Sequence, residues 1–138
     1  MESADWIVVL DLTIPSDLQA GCEAQKRILA AVDACGFDEE KRFAIRLALE
    51  EALINAIKHG NRLDPAKQVR VQARITPRQA EIVIEDQGPG FRRDEVPDPT
   101  CPENLERCCG RGILLMESYM DQVKWSNCGR RVKMIKKK

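Results

Sequence analysis

Residues 47–61, LALEEALINAIKHGN, combine the periodicity of a buried helix with two glutamates, an asparagine, a lysine and the chain's only histidine. The apolar stripe that faces the core consists of Ile45, Leu49, Ala52, Leu53 and Ala56. A second, polar line along the shoulder of this stripe consists of Glu51, Asn55 and Lys58. Glu50 is rotated by about 100° from Glu51, so we expect it to face solvent. The helix alone leaves two interpretations open, a solvated shoulder or a functional site.

Length and charge limit the classes of function. The 138 residues fit one domain, residues 1–138, that can bury a core of its own. Lys plus Arg and Asp plus Glu both number 22, so no overall field draws the protein to nucleic acid or to a membrane surface. The basic tail GRRVKMIKKK, residues 129–138, could touch phosphates but is more often a solubilising edge strand. We therefore expect no nucleic-acid partner.

The N-terminus and the cysteines bear on localisation. The N-terminal stretch MESADWIVVLDLTIP has too few consecutive apolar residues for a signal peptide. No apolar run in the sequence reaches membrane-spanning length. We therefore expect a cytoplasmic protein without membrane contact. The six cysteines form no C-x-x-C pair and only one histidine is present, so a structural zinc site is excluded and the thiols should be reduced. Cys108 and Cys109 leave a redox role open.

Hydrophobic periodicity predicts the elements. Period-two alternation predicts strands over residues 6–14, 69–75, 80–86, 121–127 and 130–136, of which the second and third form one hairpin and the last two another. Helices are predicted over residues 16–36, 38–59 and 110–119, the first capped by Ser16 and stopped at Gly36. Residues 87–110 lack periodicity and predict a mobile lid or binding loop. The order predicts an α/β (α+β) two-layer sandwich, with a mixed, mostly antiparallel sheet covered by helices on one face.

Asp86 ends a predicted strand on the same face as the buried Ile82 and Ile84. A carboxylate at that position needs a partner. Gly88 and Gly90 follow at once and permit close approach of a flat ligand to the backbone. A turn capped by the aspartate explains the same residues equally well.

A second pair of glycines, Gly110 and Gly112, flanks Arg111 at the start of the last predicted helix. Unpaired N–H groups and the positive dipole end at a helix start can hold phosphate. Taken alone, this motif is weak evidence for a nucleotide site.

In this order, the three motifs resemble the ATP-binding boxes of the histidine kinase-like (GHKL) ATPase superfamily, whose fold is a Bergerat-type α/β sandwich. Over nearly its whole length the chain is more closely similar to the small anti-sigma factor serine/threonine kinases. EEALINAIKHGN (residues 50–61) resembles their N box, and IEDQGPGF (residues 84–91) their first glycine box. LERCCGRGILLMESYMDQV (residues 105–123) resembles the end of their lid and the second glycine box.

The resemblance implies roles for individual residues. Asn55 would bind the Mg²⁺ that bridges the nucleotide phosphates, and Glu51 would be the general base for an attacking serine hydroxyl. Asp86 would accept a hydrogen bond from the adenine amino group, and Arg107 would lie near the γ-phosphate. The other implied nucleotide-binding residues are Lys58, Gly88, Gly90, Gly110, Arg111 and Gly112. The implied partners are ATP and ADP, a sigma factor, an anti-anti-sigma protein of the STAS type and a second copy of the chain in a homodimer.

One residue departs from the superfamily pattern. Many members have threonine directly after the glycine before the last strand, where this chain has Arg130. Either Arg130 points outward or nucleotide binding is weakened. The leading hypothesis is therefore an ATP-dependent kinase, and the alternative is a module of the same fold that binds nucleotide or protein without transferring phosphate. A structural or nucleic-acid-binding domain is a third hypothesis, and it would require affinity that falls steeply with salt.

Overall fold

The computed structural model describes residues 7–88 and 116–138 and shows a five-stranded sheet packed against helices. The strands are β1 (Val8–Pro15), β2 (Gln68–Ile75), β3 (Gln79–Glu85), β4 (Gln122–Ser126) and β5 (Arg131–Lys137). The helices are α1 (Leu18–Ala34) and α2 (Glu39–Ile54), and α2 continues into a π-helical segment (Asn55–Gly60). Residues 116–119 are helical, and a 3₁₀ turn (Asn127–Gly129) joins β4 to β5.

The sheet has the strand order β1-β2-β3-β5-β4, and each pairing between neighbouring described strands is antiparallel. Both predicted hairpins, β2–β3 and β4–β5, are present. Val71 lies opposite Ile84, and Ile84 opposite Val132, so one register carries aliphatic side chains across three strands on the face toward the helices. The predicted α/β two-layer class is confirmed.

The core is formed where the apolar face of the sheet meets the apolar stripes of α1 and α2. Alternate residues of β2 are buried, as its period-two pattern predicts. Ile45 and Leu49 in α2 have 0% of their surface exposed. The predicted stripe of this helix is therefore the face that packs on the sheet, since its other members, Ala52, Leu53 and Ala56, are buried too.

The start of α1 differs from the prediction that Ser16 caps it. The N-cap is Asp17, whose side chain accepts a hydrogen bond from Gln19 N–H at 2.9 Å. Ser16 is instead buried, and its Oγ donates to Lys67 O at 2.8 Å. Both residues are good caps by type, and the tertiary bond to Lys67 decides between them. The end of α1 is as predicted, because Gly36 has a φ of +80° that ends the helix.

The predicted second helix continues to Gly60, but its last turn is π-helical from Asn55 onward. The widened turn is closed when Asn61 N–H donates to Ala56 O at 2.8 Å, five residues back. The wider turn changes which directions the side chains after Asn55 face, compared with a continuous α-helix. Single π-helical turns inside α-helices are frequent at functional sites.

Two further predictions concern membranes and thiols. Within the residues that the structure describes, no helix combines the length and apolar character needed to cross a bilayer. Cys22 is exposed, Cys35 is buried, and both are free thiols. Residues 89–110 of the predicted lid (residues 87–110) and residues 110–115 of the predicted third helix lie outside the described residues.

Candidate functional site

The polar line of α2 and its π-helical continuation, formed by Glu51, Asn55 and Lys58, is split between two environments in the structure. Asn55, the first residue of the π-helical segment, is buried with 8% of its surface exposed, and Glu51 one turn earlier is half-buried. Lys58 is exposed and lies on the side facing α1, where it lines a groove of about 380 Å³ together with Glu50. Glu50 is half-buried, as Glu51 is, because α1 packs beside it, so burial alone does not separate the two glutamates.

Glu51 has an altered acidity. Burial raises the pKa of the Glu51 carboxyl, and the neighbouring Glu50 charge raises it further. A glutamate with a raised pKa holds a proton more readily once it has received one, which suits a general base.

Asp86 is buried at the end of β3, with 7% of its surface exposed. Its Oδ1 accepts a hydrogen bond from Gly88 N–H at 2.8 Å. Burial raises the pKa of Asp86, while the Gly88 N–H and the positive charge of Arg130 act in the opposite direction. A carboxylate kept in a desolvated position with one fixed donor has acceptor capacity left for a ligand.

The end of the π-helical segment, at Gly60, packs directly on the turn after β3 that carries Asp86 and Gly88, called the glycine turn below. A Cβ atom added to Gly60 would lie 2.5 Å from both Asp86 Cγ and Oδ2. A Cβ atom added to Gly88 would lie 2.0 Å from Gly60 O. Neither position has room for a side chain, so two glycines let the segment carrying Asn55 pack on the turn carrying Asp86.

Arg130 lies against the same turn. Its Nε donates to Gly88 O at 2.6 Å, and its backbone O accepts from Asp86 N–H at 2.9 Å. A cavity of about 520 Å³ beside Asp86 opens toward the outer face of the sheet, and Thr13, Arg70 and Arg130 contribute to its wall. Arg130 therefore lies in the wall of this outer-face cavity while its guanidinium binds the glycine box, because the carbonyl of Gly88 offers it an acceptor. Its effect on nucleotide affinity stays a prediction.

Asn61 was missed by the sequence analysis. It is completely buried, and its side chain bonds to Ser16, Gln68 and Gln87. In sequence, an asparagine directly after a helix-ending glycine is typical of an ordinary helix end, which conceals its longer-range contacts. The only available signal was that an amide at this position can bond to several backbone groups at once.

His59 lies four residues after Asn55 in the π-helical segment. Its Nε2 is buried and finds no hydrogen-bond partner within residues 7–88 and 116–138. Burial, assisted by the positive charge of Lys58, lowers the pKa of His59. Both effects favour the uncharged form of the imidazole ring.

The remaining predicted site residues fall outside the described part of the chain. They are Gly90, Arg107, Gly110, Arg111 and Gly112. Their roles remain predictions of the resemblance. Within the described part, the structure brings Gly60, Asp86 and Gly88 into contact at the end of the segment that begins with Asn55.

Comparison with known proteins gives this arrangement a family. Residues 14–136 match the family described as histidine kinase-like ATPase domain. An anti-sigma F factor of Clostridium perfringens (strain SM101 / Type A) is 37% identical over 98 residues, which cover 68% of this chain and 69% of that protein. The serine-protein kinase RsbW of Oceanobacillus iheyensis is 26% identical over 133 residues, which cover 92% of this chain and 82% of that protein. The corresponding kinase of Bacillus velezensis is 27% identical over 143 residues, which cover 97% and 86%. The chain therefore belongs to the histidine kinase-like ATPase domain family, in the group of anti-sigma factors and serine-protein kinases.

Proposed function

We propose that this protein is an ATP-dependent protein-serine kinase and anti-sigma factor, which binds a sigma factor and phosphorylates a serine of an anti-anti-sigma antagonist. The observation that carries the proposal is the contact between Gly60 and the Asp86 carboxylate. It joins the end of the helix that bears Glu51 and Asn55 to the turn that bears the adenine acceptor. The names of the relatives, anti-sigma F factor and serine-protein kinase, support the same function.

Adenine recognition is assigned to Asp86. Its buried carboxylate accepts from Gly88 N–H through Oδ1, which leaves further acceptor positions for the adenine amino group. Guanine carries a carbonyl oxygen at that position. This oxygen and the carboxylate are both acceptors, so no hydrogen bond can form between them. The site should therefore select ATP over GTP.

The residues present fit a magnesium ion held mainly by nucleotide phosphates. Within the described residues there is no group of three or more His, Cys, Asp or Glu side chains that could hold a metal alone. Asn55 supplies an amide oxygen at the start of the π-helical segment, and Mg²⁺ prefers oxygen ligands and keeps several waters. When bound, the ion would neutralise charge on the transferred phosphoryl group.

Glu51 is assigned as the general base. Its half-buried position one turn before Asn55 and its raised pKa suit it to take the proton of the substrate serine. The serine oxygen then forms a bond to the γ-phosphorus while the bond from that phosphorus to the β–γ bridging oxygen breaks. The electron pair leaves with ADP, and Glu51 later releases its proton to solvent.

The proposal extends to protein partners, cellular localisation and oligomeric state. A sigma factor and a STAS-type anti-anti-sigma protein are the protein partners, and sigma factors act in the cytoplasm. A homodimer through the β1 edge of the sheet is part of the same proposal. Among the described strands β1 lies at one edge, and Val9 in it is 65% exposed; an exposed apolar residue on an edge strand favours association with another strand.

The test is an incubation with radiolabelled ATP, Mg²⁺ and purified candidate anti-anti-sigma proteins. We expect label on a serine of one antagonist, and labelling slower by on the order of a hundredfold or more when Glu51→Gln replaces the wild type at equal nucleotide loading. A stable complex with nucleotide but no transfer to any cognate antagonist would favour the alternative, a binding module without kinase activity. One observation favours this alternative: Arg130, which stands where many relatives in the superfamily have threonine, binds the glycine box through Gly88 O.

A further inference from the structure

Asn61 is fully buried at the meeting point of four chain segments. Its backbone N–H closes the π-helical segment by donating to Ala56 O. Its side-chain Nδ2 donates to Ser16 Oγ and to Gln68 O, both at 2.9 Å. Its Oδ1 accepts from Gln87 N–H at 2.7 Å. Both amide hydrogens and the amide oxygen are therefore used in bonds to separate segments.

The partners fix the orientation of this amide. The Gln87 backbone N–H can only donate, and the Gln68 backbone O can only accept. Oδ1 must face Gln87 and Nδ2 must face Gln68, so a flipped amide would lose both bonds. The two ends of the side chain thus have different partners: Nδ2 bonds to the framework of β2 and the start of α1, and Oδ1 bonds to the glycine turn.

We infer that Asn61 is a positioning residue for nucleotide selection, because its Oδ1 holds Gln87, and with it the adjacent Asp86, in place relative to the helix that carries Asn55. The inference rests on the proposed function, since it takes Asp86 as the adenine acceptor and Asn55 as the metal ligand. Asn61 acts through Gln87 and is not a catalytic residue. The tight packing of Gly60 on Asp86 leaves little tolerance for movement of the turn.

Three variants separate positioning from stability. Asn61→Ala removes both ends of the amide. Asn61→Asp keeps an oxygen toward Gln87 N–H and removes the donor toward Gln68 O. Ser16→Ala, the matched control, removes a bond of the framework end and leaves the Oδ1 bond intact. A purely structural residue would give all three variants lower stability and the wild-type preference among nucleotides.

The experiment measures the affinities of the full chain for Mg-ATP and Mg-GTP by calorimetry, together with stability in urea. The ratio of the two affinities is the readout, because both nucleotides carry the same charge and a buried anion in Asn61→Asp affects them alike. We expect Asn61→Ala to lower the ATP-over-GTP ratio roughly tenfold or more, the scale of one lost hydrogen bond. Asn61→Asp and Ser16→Ala should be less stable but keep the wild-type ratio.

An unchanged ratio in Asn61→Ala would overturn the inference and leave the proposed function standing. A wild-type protein without preference for ATP would overturn the proposed function, and the inference with it. Amide hydrogen exchange of wild-type Gln87 adds a measurement that needs no variant. Its N–H should exchange slowly because Asn61 Oδ1 accepts it, and exchange at the rate of an unprotected amide would overturn the inference.

Discussion

Replacing Gly60 by alanine should displace the adenine acceptor and weaken ATP binding. The new Cβ atom would lie 2.5 Å from Asp86 Cγ and Oδ2, where ordinary contact begins at 3.4 Å. One of the two groups must therefore move by roughly 1 Å, and the Asp86 carboxylate is the group that is not part of a helix. Such a shift misaligns its bond to the nucleotide, and a hydrogen bond to a charged group contributes about 1.5–3 kcal/mol. ATP affinity should fall roughly 10- to 150-fold.

Stability should change less than affinity. Overpacking of this kind costs about 1–3 kcal/mol of unfolding free energy. Alanine has a better helix propensity than glycine by about 1 kcal/mol, which offsets part of that loss. Urea unfolding with linear extrapolation measures the net change, and titration calorimetry with Mg-ATP measures the affinity.

Gly21→Ala in α1 is the matched control. A Cβ atom there would lie 2.8 Å from Ile57 Cδ1, the end of a flexible side chain that can rotate away. We expect unchanged ATP affinity and a stability within about 1 kcal/mol of the wild type. Wild-type ATP affinity in folded Gly60→Ala would refute the assignment of the Gly60–Asp86 contact to the nucleotide site.

Four further predictions concern the charged and amide groups of the site and its neighbour Glu50. Glu51→Gln should retain ATP but lower serine phosphotransfer on the order of a hundredfold or more at saturating Mg-ATP. Glu50→Gln should leave the plateau rate unchanged and move the acid limb of the pH–rate profile to lower pH, because the Glu50 charge contributes to the raised pKa of Glu51. Asn55→Ala should abolish the Mg²⁺-dependent part of ATP binding with little change in the urea midpoint, and calorimetry with and without Mg²⁺ decides this. Asp86→Asn should bind ATP more weakly yet be more stable near neutral pH, because burial raises the native pKa of the carboxyl and the wild type loses stability as pH rises through that window. The stability gain, measured by urea unfolding, should vanish when the pH is below the unfolded pKa of about 3.9. An equal gain at neutral pH and below that pKa would contradict this linkage.

Much of the fold follows from local periodicity. Period-two alternation around Val71 and Ile84 assigns the strands and their buried faces, because a strand in a two-layer fold has one side toward the core. The stripe containing Ile45 and Leu49 assigns the buried face of α2 in the same way. The resemblance of the motifs then indicated the family, which the comparisons support independently of the geometry.

Local pattern was insufficient where two residues of similar type compete for one role. Ser16 and Asp17 are both good N-caps, and the bond from Ser16 to Lys67 leaves the cap to Asp17. Glu50 and Glu51 differ in environment only after α1 packs beside them. In each case the deciding partner is remote in sequence and has no periodic signature.

By itself, the sequence determined the five described strands, the course of α1 and α2, their buried faces and the set of motifs, since each depends on the spacing of neighbouring residues along the chain. Only the tertiary structure decided that the last turn of the opening helix is π-helical, that Gly60 packs on Asp86, and that Asn61 joins the helix to the glycine turn. Asn61 is bonded to Ser16, which is 45 residues away. Bonds of this kind form between segments that packing brings together, so their physical cause lies in the folded arrangement rather than in the pattern of either segment.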